Sequence, residues 1–222
     1  MKWPVPGEMK EIMKKYDRQV IEQDFTLPDG EVKNFFLFAA STKPAIVLAV
    51  TKDRKVLAIK QFRYGACDVV TEIPGGNAKP GQSMEDCITD ELLEETGFKA
   101  KKLVKLGEGI WFDPASWRAS FTAFVALDCK RVAEPNLDPT EILEWMTVPL
   151  NKWLGMAMRG EIKDAKTLAI TLMAPVVRQV FVLILAIRLI FKKARPQHFA
   201  VAPLFLSRYY CFFGLSRLVW IL

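Results

Sequence analysis

With 222 residues the chain can form one sizeable domain or two small ones, and a hydrophobic content of 51% leaves no shortage of core-forming side chains. The net charge of +6 is confined to the tail, because seven of the 31 Lys and Arg and none of the 25 Asp and Glu lie after Pro175. Residues 1–175 therefore carry about −1, which gives the main domain no basic signature for nucleic acid. Four cysteines without a CxxC pair and one histidine, His198, suggest neither a zinc site nor a disulfide framework, so a reducing, cytoplasmic setting is expected.

The opening "MKWPVPGEMKEIMKKYDR" has no continuous apolar run of the secretory type and reads as a short helical start. "RQVIEQDFTL" and "EVKNFFLFAA" flank Pro28-Asp29-Gly30, strong turn chemistry between two strand-like runs, and predict a β-hairpin. "PAIVLAVT" and "KVLAIKQFRYG" repeat the arrangement around Lys52-Asp53-Arg54, and "DVVTEIPGG" adds a β-branched run ending in glycines. A helix follows, with Ser83 as N-cap, Asp86 completing an imperfect capping box, and Gly97 just past its end. "KKLVKLGEGIWF" and "ASFTAFVALDCK" predict strands on either side of the loop "DPASW", and "EILEWMTVPL" one more. "NKWLGMAMRGEIKDAKTLAITLMA" predicts one or two helices broken near Gly160.

This order implies an α/β (α+β) fold, a mixed sheet covered on both faces, with residues 1–44 as an N-terminal helix and β-hairpin region and 45–175 as the main domain. From residue 176 the chain is apolar and basic, in two blocks each interrupted by arginine. Three readings of that extension stay open: helices docked on the domain or a partner, a membrane-associated segment, or a tail outside the functional design.

The helix after the glycines holds six acids and no base, namely Glu85, Asp86, Asp90, Glu91, Glu94 and Glu95. At about 100° per residue, Met84, Cys87, Ile88 and Leu92 share one apolar arc, and Glu91 and Glu95 fall inside it. A solvated face would turn those two carboxylates the other way. Buried carboxylates without a basic partner are expensive, and a hard divalent cation with phosphate oxygens resolves the conflict. The Gly75-Gly76 turn lets backbone approach such a site closely.

The stretch Gly76 to Phe98 resembles the Nudix box, G-x5-E-x7-R-E-U-x-E-E-x-G-U, where U is a bulky apolar residue. Gly76, Glu91, Leu92, Glu94, Glu95, Gly97 and Phe98 fall in register, while Gln82 stands in place of the first Glu and Asp90 in place of Arg. The likeness extends over residues 15–175 and is closest to the ADP-ribose pyrophosphatases, which carry a marker proline at the position of Pro114. It implies a Nudix-like α/β/α sandwich and magnesium-dependent hydrolysis of ADP-ribose or a related nucleoside diphosphate sugar, with manganese as the other metal. In that likeness Glu91, Glu94 and Glu95 hold metal together with the Gly75 carbonyl, and Glu94, Glu95, Glu91 and Glu141 form the catalytic set.

Arg63 is a candidate diphosphate clamp or a plain surface arginine, and Glu141 a mobile catalytic glutamate or a solvated loop acid, with Glu144 competing for the role. Gly76, Pro114 and the flanking Trp111 and Trp117 complete the candidate substrate-binding set, although core packing is the commoner fate of tryptophan. A homodimer is implied by the resemblance, and membrane association would come through 176–222. The competing functions are the same scaffold acting on dinucleotides or nucleoside triphosphates, and a nucleotide-binding module without turnover. In the latter case Gln82 and Asp90 have replaced a supporting ion pair by a hydrogen bond.

Overall fold

The computed structural model describes residues 1–138 and 141–176. The extension expected from residue 176 lies, from residue 177 on, outside the described residues. Among the described residues no helix is long and apolar enough to cross a membrane.

The first hairpin forms where the turn chemistry puts it. Strands β2 (Arg18–Thr26) and β3 (Val32–Ala40) pair antiparallel in unbroken register, closing around Gly30, whose φ of 92° is the left-handed conformation glycine adopts without a steric cost. The helical start does not form. Residues Val5–Lys15 are instead a strand, β1, antiparallel to β2. Its pairing slips between Pro6 and Met9 and again between Glu11 and Met13. Each irregularity breaks the two-residue alternation that would mark a strand in the sequence. Every residue of β1 is exposed.

The larger sheet is built around β4 (Pro44–Thr51), buried along nearly its whole length. On one side β4 meets β5 (Lys55–Arg63) antiparallel, with β6 (Asp68–Glu72) beyond it on β5; β7 (Gly75–Asn77) folds back onto the start of β4. The chain then enters α1 (Met84–Thr96), turns through β8 (Phe98–Lys99) and β9 (Lys102–Trp111), and passes a two-residue strand β10 (Trp117–Arg118). The long β11 (Ser120–Arg131) runs parallel to β4, β12 (Leu143–Pro149) closes the far edge on β5, and α2 (Leu150–Met158) and α3 (Ala165–Met173) end the described fold. The strand order is β12-β5-β4-β11-β8, mixed as expected. β10 instead joins β3, parallel, and completes a four-stranded sheet β1-β2-β3-β10.

The two faces of β4 take different helices. Ala45, Val47 and Ala49 pack with Cys87, Ile88 and Leu92 of α1, together with Leu57 and Phe124. On the other side α3 lies against β4 and β11, and α2 against β5 and β12. Trp153 of α2 is fully buried and donates its indole N–H to Thr171 Oγ1 of α3 at 3.1 Å, which satisfies the one polar atom of a large apolar side chain. The result is a helix-sheet-helix sandwich, with the break between α2 and α3 at Gly160 as the sequence implies.

The ends of α1 are fixed by the expected residues. Ser83 Oγ accepts from the Asp86 N–H at 3.0 Å. Gly97, at φ 77°, donates to Leu93 O at 2.8 Å, and a Cβ there would stand 2.1 Å from Ala133 O. Gly97→Ala is therefore predicted to cost about 2 kcal/mol or more, through strain and a backbone clash together. A urea midpoint equal to that of the wild type would contradict it.

Candidate active site

Glu91 and Glu95 project from adjacent turns of α1 toward the Gly75-Gly76 turn. Glu95 is 2% exposed and Glu91 half-buried, as their place on the apolar arc requires. Glu141, from the segment entering β12, brings its carboxylate to the same point, and one carboxylate oxygen from each of Glu91, Glu95 and Glu141 lies within 4.8 Å of the other two. Glu141 is oriented by Asp138, to whose carbonyl its N–H donates at 2.9 Å, while the Asp138 N–H donates to Glu141 Oε2 at 3.3 Å. Its competitor Glu144 is exposed on β12, opposite Lys60.

Both glycines have a steric reason. The Gly75 N–H donates to Glu95 Oε2 at 3.1 Å. At Gly76 a Cβ would lie 2.1 Å from Glu91 Oε1, so the carboxylate rests directly on bare backbone. Below it the Cys87 thiol donates to Gly76 O at 3.6 Å; burial first, and then the Glu91 charge, raise this thiol to about 11, so it remains protonated packing. Gln82 Nε2 donates to Asp90 Oδ2 at 2.9 Å, and Gln82 Oε1 accepts from the Lys79 N–H at 3.0 Å. The two departures from the box thus compensate each other, since a glutamate at 82 could not donate to Asp90.

The electrostatics show what the cluster lacks. Burial, then Glu141 and Glu94, push Glu91 up to about 7 against the opposing pull of Lys79. Burial and the Glu91 charge carry Glu95 well above the usual carboxylate range, only partly offset by the Gly75 N–H and Arg63. Glu94 is half-buried and acts on Glu91 through its charge, but its oxygens stand outside the three-carboxylate group.

A carboxyl raised in the folded state binds a proton that the unfolded chain has already released. Stability without metal is therefore predicted to fall as pH rises from about 4.5, the ordinary glutamate value, through about 7, the folded value of Glu91. Asp164, held low, works at still more acid pH and does not mask this window. In chelator, a lower melting temperature at about pH 7.5 than at about pH 5 is expected, with magnesium closing that gap; a flat profile in chelator would refute it.

Arg63 is not free. Its Nε and Nη2 donate to Glu72 Oε1 and Oε2 at 2.6 and 2.8 Å, a bidentate pair whose acid is almost fully buried. Lys166 Nζ stands 3.8 Å from Glu72 Oε2 and pairs also with Asp164, the N-cap of α3. Glu72, Lys166 and Asp164 were not among the residues singled out from sequence. The available signal was the hairpin register: Arg63 opposes Asp68, and Glu72 lies four residues further along β6, which puts Arg63 and Glu72 on the same face.

A cavity of about 380 Å³ opens at the N-terminal sheet, lined by Phe38, Trp117, Arg18, Phe112 and Asn77 among others, and none of the three clustered glutamates lines it. Trp117 packs edge-on against Phe112 at 6.0 Å and tilted on Phe38 at 6.1 Å, while Lys166 Nζ stands 5.9 Å over the Phe112 ring. Trp111 is 56% exposed and Pro114 lies exposed on the turn between them; neither lines this cavity.

Three comparisons agree with this geometry. The family model described as the NUDIX domain matches residues 41–169. The chain is 34% identical over 146 residues to an ADP-ribose pyrophosphatase of Bacillus subtilis (strain 168), covering 65% of this chain and 78% of the relative. It is 29% identical over 163 residues to a GDP-mannose pyrophosphatase of Escherichia coli (strain K12), covering 66% and 81% respectively. A crystal structure described as an ADP compounds hydrolase superposes with a TM-score of 0.69 over 82% of this chain and 95% of that one, at 18% identity, a likeness of fold. With the matched domain spanning more than half its length and the glycine turn seated on the glutamates of α1, the chain belongs to the NUDIX domain family.

Proposed function

We propose that this NUDIX-family enzyme hydrolyses the diphosphate bond of nucleoside diphosphate sugars, with ADP-ribose as substrate and AMP and ribose 5-phosphate as products, in a magnesium-dependent reaction. The observation that carries it is the three-carboxylate group of Glu91, Glu95 and Glu141, gathered within 4.8 Å with Glu95 buried. Such a group is strongly repulsive alone and favourable around a hard cation.

The donor set fits magnesium or manganese: all oxygen, anionic, and seated against a glycine whose Cβ would fill the space. Glu91, Glu95, the Gly75 carbonyl and Glu94 would hold the metal. When bound it neutralises the diphosphate and acidifies an attacking water. Glu141 orients that water and takes its proton as oxygen attacks phosphorus and the anhydride bond breaks. Arg63 contributes its remaining N–H groups to the diphosphate. The aromatic cavity of Phe38, Phe112 and Trp117 receives the nucleoside, while Gly76 lies at the carboxylate group and Trp111 and Pro114 lie outside the cavity.

A substrate panel of ADP-ribose, GDP-mannose, a dinucleotide and a nucleoside triphosphate, each with magnesium, tests this. ADP-ribose should give the highest kcat/KM and yield AMP. Preference for the dinucleotide or triphosphate would overturn the substrate assignment, and tight binding without product would favour a module without turnover. Two copies are proposed to pair through the N-terminal sheet, where Val5, Met9, Phe36 and Phe38 stand exposed. Light scattering that returned the monomer mass of 25.2 kDa at micromolar concentration would exclude this.

A further inference from the structure

Glu72 presents a problem that the metal group does not solve. It is 3% exposed at the inner end of β6, and its oxygens are not part of the three-carboxylate cluster. A carboxylate buried this deeply is tolerated only when its charge and lone pairs are met. Here they are met by two cations, Arg63 from β5 and Lys166 from α3, and Lys166 is in turn held by Asp164. Two positive and two negative side chains from three elements thus form one closed set.

The set is asymmetric in depth. The Glu72 side chain is 4% exposed and that of Arg63 43%, so the acid forms a buried foot and the guanidinium an open head. Glu72 lies three residues before Gly75, whose N–H donates to Glu95 Oε2 at 3.1 Å, so the guanidinium bonded to Glu72 sits on the approach to the cluster, and its charge and that of Glu95 stabilise each other. An unrestrained arginine beside three carboxylates would swing onto them, where it would compete with a cation. The bidentate bond to Glu72 removes that option, because Nε and Nη2 are already committed and the planar fork fixes where Nη1 points.

We infer that Glu72 is a positioning residue, acting through Arg63 to hold the free guanidinium edge toward a diphosphate at the Glu91–Glu95 cluster, with Lys166 and Asp164 of α3 as its rear support. The inference rests on the cluster being a diphosphate site. It makes the docking of α3 a determinant of substrate affinity, although α3 itself supplies no carboxylate to the cluster.

The test is a double-mutant cycle on the full chain, reading the affinity for α,β-methylene ADP, a nucleoside diphosphate that cannot be hydrolysed, by calorimetry with magnesium present. Glu72→Gln is expected to weaken binding about tenfold and Arg63→Ala at least as much, while the double variant binds like Arg63→Ala alone, within about twofold. A purely structural Glu72 would leave the two losses to multiply. Multiplying losses, unchanged binding by Glu72→Gln, or no binding by the wild type would each overturn the proposal. Should Glu72→Gln fail to fold by circular dichroism, Lys166→Met takes its place: a loss of about threefold that vanishes in the Arg63→Ala background supports the relay, and a loss that persists there refutes it. Hydrolysis of the substrate panel is scored separately. Product release without coupling removes the role of Glu72 and leaves the enzymatic function; coupling without product does the reverse.

Discussion

Replacing Glu95 by glutamine is predicted to lower kcat/KM for ADP-ribose by about a thousandfold or more, while raising the melting temperature of the metal-free protein. The two effects have one cause. Glu95 is the most buried member of the carboxylate group, 2% exposed, and its ionised form is disfavoured by burial and by Glu91. Glutamine keeps an oxygen for the Gly75 N–H, which now reaches Glu95 Oε2 at 3.1 Å, but brings no charge into a site already crowded with anions. The fold gains what the cation loses. Hydrolysis with magnesium and a thermal melt in chelator are the two measurements. Retained activity, or a lower melting temperature in chelator, would show that Glu95 does not carry the site's electrostatic load.

Gly76→Ala is predicted to cost about a hundredfold or more in kcat/KM, comparable to removal of one group that stabilises the transition state, with stability changed by less than about 1 kcal/mol, because the atoms met are the movable end of the Glu91 side chain. No left-handed backbone is involved here. The added carbon would meet Glu91 Oε1 at 2.1 Å and the carboxyl carbon at 2.3 Å, far inside contact distance. Glu91 can escape only by leaving the group it forms with Glu95 and Glu141. Kinetics and urea unfolding of the variant check both numbers. An alanine variant with wild-type turnover would mean that the position of Glu91 against the turn is immaterial to the chemistry.

The parts of the molecule that were legible in the sequence are those where one local rule acts alone. The hairpin around Gly30, the caps Ser83 and Gly97, the break at Gly160 and the inward turn of Glu91 and Glu95 all follow from turn chemistry or helical spacing. β1 was misjudged because two register slips disguised its alternation. The pairing of β10 with β3 depends on where a long chain returns, and no local pattern records it. The same holds for Glu72: an acid among β-branched residues looks like any strand acid until the hairpin register brings Arg63 to it. Glu141 needed both, a plausible place in sequence and a fold that delivers it to α1.

One hydrogen bond has a consequence for how the protein is made. The Ile73 N–H, directly before the glycine turn, donates to Thr167 Oγ1 at 3.3 Å across 94 residues of chain. The parallel ladder between β4 and β11 likewise joins Ala45 to Thr122. Local hairpins can close within microseconds, but contacts this distant must wait for loop closure and, on the ribosome, for the later segments to be synthesised. The hydroxyl contact just before the Gly75-Gly76 turn therefore forms only after α3 has emerged. A nascent chain stopped short of Ala165 carries every residue of the carboxylate group yet lacks the hydroxyl that anchors the backbone just before the glycine turn.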